Sequence, residues 1–337
     1  MSTTNCFALC PPDILLEIIH YSLPPLQDSK QRHIELTSMR VVCQYWNSVI
    51  TSTPQFWSTI QINFPSQAIQ LPTVQQWLTR SSDASLNIFI KDRPPISWTD
   101  AEIQLRTDLM SAINLHISRC KSLQLEVTVG ILPAFRLLRV SEAERLESLE
   151  INMRGNTDEH VHAHLIQQLS TLSSLLHLSI ATHVPHFITR LLHHCNPTWL
   201  SQLTCVRLSC PITTREMLAL MEKCTSATQI CLNQVLPSDP PTSPISAFSP
   251  SVTLKALTSL DISFTSSNTY LILLQRISFP NLKTLHLSGI DISDLSSTVH
   301  SSAPHLTSSR RESQPREKSS TKFVLFSTTL LSSDCRF

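Results

Sequence analysis

Glycine is nearly absent: Gly130, Gly155 and Gly289 are the only three in 337 residues. No two of them are closer than 25 residues. A loop that cradles a phosphate needs clustered glycines so that backbone N–H groups can approach the ligand. Walker-type and dinucleotide-type loops are therefore excluded, and so is a G-x-S-x-G nucleophile elbow. Charge is also scarce, at 15% of residues with a formal net charge of +1, so nothing favours nucleic acid or an acidic membrane surface as a partner. Apolar residues make up 41%, enough to bury a real core.

Paired cysteines are missing too. The chain has ten cysteines but no C-x-x-C, and most stand among apolar residues, where a free thiol packs as a small hydrophobe. This usage fits a reducing compartment, cytoplasmic and/or nuclear. No basic stretch precedes an apolar one at the start, and no run approaches the ~18 apolar residues of a membrane span.

What is present begins with a helical module over residues 9–60. Pro11 and Pro12 precede Asp13, which suits a helix start, and Ile14, Leu15, Ile18 and Ile19 form one apolar stripe. Pro24-Pro25 stops that helix. Leu36, Met39, Val42, Cys43, Trp46, Val49 and Ile50 recur in steps of three and four, the pattern of a second helix after a polar connection from Pro24 to Glu35. Pro54-Gln55-Phe56-Trp57 begins a short apolar turn or helix. Some fifty residues make a marginal core alone, so the module should lean on a partner or on the next domain.

The order Pro12-Asp13-Ile14-Leu15-x-x-Ile18-Ile19, then Val42-Cys43-x-x-Trp46, then Pro54-x-Phe56-Trp57, resembles the F-box family, in particular its fungal members. Cys10 stands where that family usually has leucine. The resemblance covers about a sixth of the chain. It implies docking of a Skp-type adaptor, and through it a cullin–RING scaffold, by helix-in-groove recognition. Carried over residue by residue, Pro12, Ile14, Leu15 and Ile18 would face the adaptor or the shared core. Val42, Cys43 and Trp46 would form the matching wall, and Trp57 would close the module.

A second pattern, apolar-x-x-apolar-x-apolar, recurs through residues 61–300 and is clear from about 120. Its copies begin at Cys120, Leu146, Leu175, Leu203, Ala227, Leu257 and Leu282. The middle positions Leu123, Leu149, Leu178, Val206, Ile230, Leu260 and Leu285 are 26, 29, 28, 24, 30 and 25 residues apart. Leucine-rich repeats have periods of ~20–29 residues, and the alternating end of each copy is strand-like. Helical spacing fills the gaps at Asp108–Arg119, Asp158–Leu172, Val184–Cys195, Thr213 or Thr214 to Met221, and Thr269–Ile277.

The places where regular repeats carry Asn or Cys hold Arg154, His183, Pro211, Val235, Thr265 and Ile290, so that buried polar ladder is missing. The expected fold is α/β: a small all-α N-terminal module followed by an irregular leucine-rich-repeat-like α/β solenoid. An ordinary α/β domain with leucine in its strands is the alternative. Leu236–Pro250, with its prolines, reads as an inserted loop, and 301–337, rich in serine, as a disordered tail.

Reaction chemistry finds little purchase. His160, His162 and His164 could place two imidazoles on one helix face, but no third ligand accompanies them and a solvated face is the reading. His193-His194-Cys195 point in different directions on a helix, which speaks against a nucleophile pair. Asp100 and Glu102 read as acids of a loop or helix start. The expectation is a substrate receptor for a ubiquitin ligase, not an enzyme, with no catalytic, cofactor or metal residues and an unidentified protein target. A repeat scaffold with a degenerate F-box and no ligase role is the second reading. An enzyme with an unrecognised site is the third.

Overall fold

The computed structural model describes residues 10–24, 29–64, 71–92, 99–128, 138–154, 159–184, 187–194, 197–237, 252–265 and 277–289. The expected tail at 301–337, most of the expected loop at 236–250 and most of the helix expected at 269–277 lie outside these residues. The chain divides into two compact units, Met1–His164 with Thr171–Leu175, and Leu165–Ser170 with Leu176–Phe337.

The first unit opens with helices. α1 (Pro12–Ser22) has proline at its first position and Asp13 in its first turn, and ends at extended Leu23. α2 (Ser29–Arg40) and α3 (Gln44–Ser52) follow. This corrects the expectation of one helix through Leu36 and Ile50. α2 closes in a turn, with Val41 N–H donating to Ser38 O at 3.3 Å and Val42 N–H to Met39 O at 3.2 Å. Cys43 is extended at φ −162° where α3 begins. Adjacent β-branched valines are weak helix formers, and the break keeps the apolar positions in phase. Much of the expected polar connection is the start of α2, where Gln31 Nε2 donates to Glu35 Oε1 at 2.7 Å across one turn.

A 3₁₀ turn at Pro54–Trp57 leads into β1 (Thr59–Phe64), α4 (Leu71–Arg80), β2 (Leu86–Asp92), α5 (Asp100–Asn114), β3 (Cys120–Thr128) and β4 (Ser148–Arg154). β1 to β4 pair in sequence order, all parallel. Ile60, Ile88, Leu123 and Leu149 stand side by side, as do Ile62, Ile90, Leu125 and Ile151. All eight are buried. Burying each such side chain contributes roughly 2 kcal/mol, so these rows anchor the core. The strand series thus starts at residue 59, well before the clear leucine copies. Trp57-x-x-Ile60-x-Ile62 already fits the pattern, with aromatic and isoleucine in place of leucine.

α6 (Glu159–Leu169) precedes the strands of the second unit: β5 (His177–Ala181), β6 (Cys205–Ser209), β7 (Ile212–Thr213), β8 (Gln229–Leu236), β9 (Val252–Thr253), β10 (Ser259–Phe264), β11 (Ile277–Ser278) and β12 (Thr284–Ser288). α7 (Phe187–His194) and α8 (Pro197–Gln202) lie between β5 and β6, and α9 (Thr214–Lys223) between β7 and β8. β5, β6, β8, β10 and β12 pair in that order, again all parallel, and β9 pairs with β11 apart from them. The middle leucines fall in register: Leu178 with Val206, Val206 with Ile230, Ile230 with Leu260, and Leu260 with Leu285. Parallel strands need long crossovers, and among the described residues helices lie between β1 and β2, β2 and β3, β5 and β6, and β6 and β8. The fold class is α/β.

A polar ladder does exist, at the other end of the strands from the places where regular repeats carry asparagine. The Oγ1 of Thr204, Thr228 and Thr258 donates to the carbonyls of Leu176, Thr204 and Thr228 at 3.1, 3.0 and 3.0 Å. Backbone N–H groups of Thr228 and Gln229 also converge on Thr204 O, and those of Thr258 and Ser259 on Thr228 O. Each turn into a strand thus satisfies its neighbour's carbonyl. Gly289, just after β12, has φ +77°, and a Cβ there would collide with the Phe264 carbonyl.

Candidate functional site

The N-terminal helices build a small core from Leu15, Ile19, Leu23, Leu36, Ile50, Phe56 and Trp57, with Cys10, Tyr45, Trp46 and Trp77 packed against it. Trp57 Nε1 donates to Ile50 O at 2.9 Å, which ties the 3₁₀ turn to α3. Tyr45 Oη donates to Cys10 O at 2.8 Å, which ties α3 to the start of α1. Cys10, where a leucine was anticipated, therefore lines a seam between helices.

This core divides the residues singled out from sequence. Leu15 is 0% exposed and Trp57 3%, so both shape the module from within and are not on its surface. Cys43 and Trp46 are half-buried at the α2–α3 junction. Pro12 is exposed, and Ile14, Ile18 and Val42 are 54%, 46% and 53% exposed. Ile14, Ile18 and Tyr21 follow at i, i+4 and i+7, one strip of α1 facing away from its buried stripe. Ile34, Val41 and Val42 add exposed apolar area on α2 and the turn after it. The other exposed large apolar residues described, Ile103, Leu115 and Leu176, are scattered. Concentration of apolar surface in one small module is the mark of an interaction site.

The second candidate surface is the polar face of the strands, where burial alternates along β1, β4, β6 and β10. In the first unit Asn63, Lys91, Glu126 and Asn152 form one cross-strand row. Glu126 is clamped by Lys91 at 2.8 Å and by Arg154. In the second unit the row is Ser179, Arg207, Cys231, Asp261 and His286. His286 Nδ1 lies 2.7 Å from Asp261 Oδ1.

Cysteine, aspartate and histidine in one row invite comparison with a nucleophile triad, but the order is wrong. Asp261 stands between the other two, and two strand spacings of ~4.8 Å hold His286 roughly 10 Å from Cys231. Cys231 Sγ instead points to Asn233 Oδ1 at 3.3 Å. Burial, then the Asp261 charge, push its thiol up and away from the reactive thiolate. Burial drives Cys120, Cys210 and Cys224 to about 12.

Among the described residues no three His, Cys, Asp or Glu side chains gather as a metal site. His164 lies on α6, while the side chains of His160 and His162 and all of Cys195 fall outside the described residues. His193 and His194 are exposed at the end of α7. Glu102 accepts from Thr99 N–H at 3.0 Å while Thr99 Oγ1 accepts from Glu102 N–H at 3.3 Å, a capping box that starts α5. α5 thus begins at Asp100, ahead of the Asp108 expected. No described helix is long and apolar enough to cross a membrane.

Comparison with known proteins adds no relative: no family model matches the chain, and no curated protein is significantly similar to it.

Proposed function

We propose that the chain is the substrate-recognition subunit of a Skp–cullin–F-box-type ubiquitin ligase. The N-terminal module docks the adaptor, and the strand face of residues 61–300 holds a target protein. The observation that carries the reading is the exposed strip Ile14, Ile18 and Tyr21 with Val41 and Val42, laid over a core made of the motif residues Leu15 and Trp57. A helix strip of this kind suits a groove lined by aliphatic anchors. The in-register leucine copies and the threonine ladder support an irregular leucine-rich-repeat-like solenoid as the target-binding part. Polar, half-exposed side chains in register along each unit's strands suit recognition of another protein by many modest contacts. Bond chemistry then belongs to the partner subunits, and this chain contributes proximity.

The test is capture of a Skp-type adaptor by the full chain. Leu15 is fully buried, so Leu15→Asp would report folding; Ile18→Asp and Ile14→Asp change the surface alone. Either is expected to reduce capture about tenfold or more. Leu115→Asp, at an exposed site elsewhere, should leave it unchanged. Equal background capture by wild type and Ile18→Asp would sink the proposal and leave a non-ligase repeat scaffold.

A further inference from the structure

Positive charge collects around one indole of the first unit. The Arg80 guanidinium lies 4.7 Å from the centroid of the Trp57 ring, and that of Arg40 lies 5.7 Å from the same centroid. His33 stacks at 4.4 Å, tilted, on Trp77. The residues come from three elements: His33 and Arg40 one above the other on α2 (i, i+7), Trp57 from the 3₁₀ turn, and Trp77 and Arg80 on α4 (i, i+3). Arg40, Arg80, His33 and Trp77 are all half-buried.

None of the ion pairs among the described residues reaches this cluster. Arg40 Nε donates to Asn47 Oδ1 at 2.9 Å, which fixes one edge of its fork. The Arg80 guanidinium makes no hydrogen bond to a described residue. Burial and then the neighbouring Arg40 lower both Arg80 and His33, so these groups repel one another in partial isolation from water. Burying like charges together is costly unless a counter-charge joins them. Stacking on indole offsets part of that cost and holds the guanidinium planes in place.

We propose that Arg40 and Arg80, held against Trp57, form a binding site for a phosphoryl group. A carboxylate would neutralise one guanidinium. A doubly charged tetrahedral anion neutralises two and offers oxygens to both forks, the geometry in which Arg binds most strongly. His33 borders the site as a further donor. The site uses none of Ile14, Ile18 and Tyr21, the exposed apolar strip on α1. Its residues span positions 33 to 80, so no local motif announces it.

The phosphoryl group could be free or carried on a phosphorylated peptide. The test uses the full chain and follows thermal unfolding and tryptophan fluorescence during titration with inorganic phosphate, against sodium chloride of equal ionic strength. A phosphoserine peptide and its unphosphorylated twin form the second arm. A saturable response to phosphate beyond chloride is expected, weakened about tenfold or more in Arg80→Gln and unchanged in Arg139→Gln. If phosphopeptide binds more tightly than phosphate and displaces it, the source is a phosphorylated partner; if it binds no better, the source is a free anion. No saturable response to either ligand, or an equal response in Arg80→Gln, overturns the proposal. Should Arg80→Gln not fold, Arg80→Lys, which keeps the charge and loses the fork, is judged by the same criterion.

Discussion

Arg119 shows how much a single residue can organise. Its guanidinium reaches Leu78 O at 2.7 Å, Ser81 Oγ at 2.9 Å, Ala84 O at 2.9 Å and Ser81 O at 3.3 Å. These groups close α4 and the turn after it, where Ser82 takes φ +43°. A cation at a helix C-terminus is favourable, and this one also adds a charged donor to each of three carbonyls there. Arg119→Met keeps the bulk but removes four hydrogen bonds at this turn, leaving Leu78 O only the Ser81 hydroxyl and Ser81 O only the Ala84 N–H. A loss of about 3 kcal/mol in urea unfolding is expected. Arg139→Met, which removes only an exposed pair with Glu142, should cost within about 0.5 kcal/mol. Equal effects would refute the assignment.

Thiols give a second check at this scale. Cys120, Cys210 and Cys224 have folded values raised from 9.0 to about 12. An acid raised in this way stabilises the fold fully below pH 9 and loses that contribution as pH climbs towards 12. In native alkylation mapped by mass spectrometry at mildly alkaline pH, Cys10 and Cys43 should therefore react well before these three. The sequence hinted at inert core cysteines through their apolar neighbours. It could not reveal the partners of Arg119, which lie 35 to 41 residues away.

Elements were more legible, because their signals are local and periodic. Apolar spacing locates β3, β4, β5, β6, β8, β10 and β12, and a helix start at Thr213 or Thr214 resolves to Thr213 as the cap of α9. Its side chain does accept from Glu216 N–H at 3.3 Å. The failures have physical causes. Val41–Val42 breaks a helix without shifting the apolar phase. The copies at β1 and β2 carry Trp57, Ile60 and Ile62, and Ser85, Ile88 and Ile90, at the positions where the later copies favour leucine. Asp100 and Glu102, open in sequence between a loop and a helix start, lie in the first turn of α5, which begins eight residues before the expected Asp108.

The threonine ladder lies at the opposite end of the strands from the positions where regular repeats carry asparagine, and its threonines, 24 and 30 residues apart, form no local motif. Its worth can be measured at Thr228, whose hydroxyl donates to Thr204 O while its own carbonyl accepts from Thr258. Thr228→Val preserves shape and strand preference and removes only the donor. It is expected to cost about 1 kcal/mol in chemical unfolding, with Thr228→Ser near neutral. A neutral valine would make the ladder incidental.

At the scale of the whole molecule, net charge is close to zero, and among the described residues exposed apolar side chains concentrate in the first helices. Low net charge gives little colloidal repulsion, and an uncovered apolar patch then drives self-association. Covered by an adaptor, the same patch would be silent. Two properties should therefore change together. Expressed alone, the chain is expected to elute in size-exclusion chromatography as large species; co-expressed with a Skp-type adaptor, it should elute as a single defined complex. Ile14→Ser with Ile18→Ser and Tyr21→Ser should make the lone chain monodisperse while abolishing co-elution. Because these side chains face outward, their combined replacement should disturb stability far less than Leu15→Ala alone, for which removal of a fully buried leucine predicts a loss of about 2–5 kcal/mol. If the triple variant still co-elutes with adaptor, the strip on α1 is not the docking face. If it stays aggregated alone, another surface drives the association.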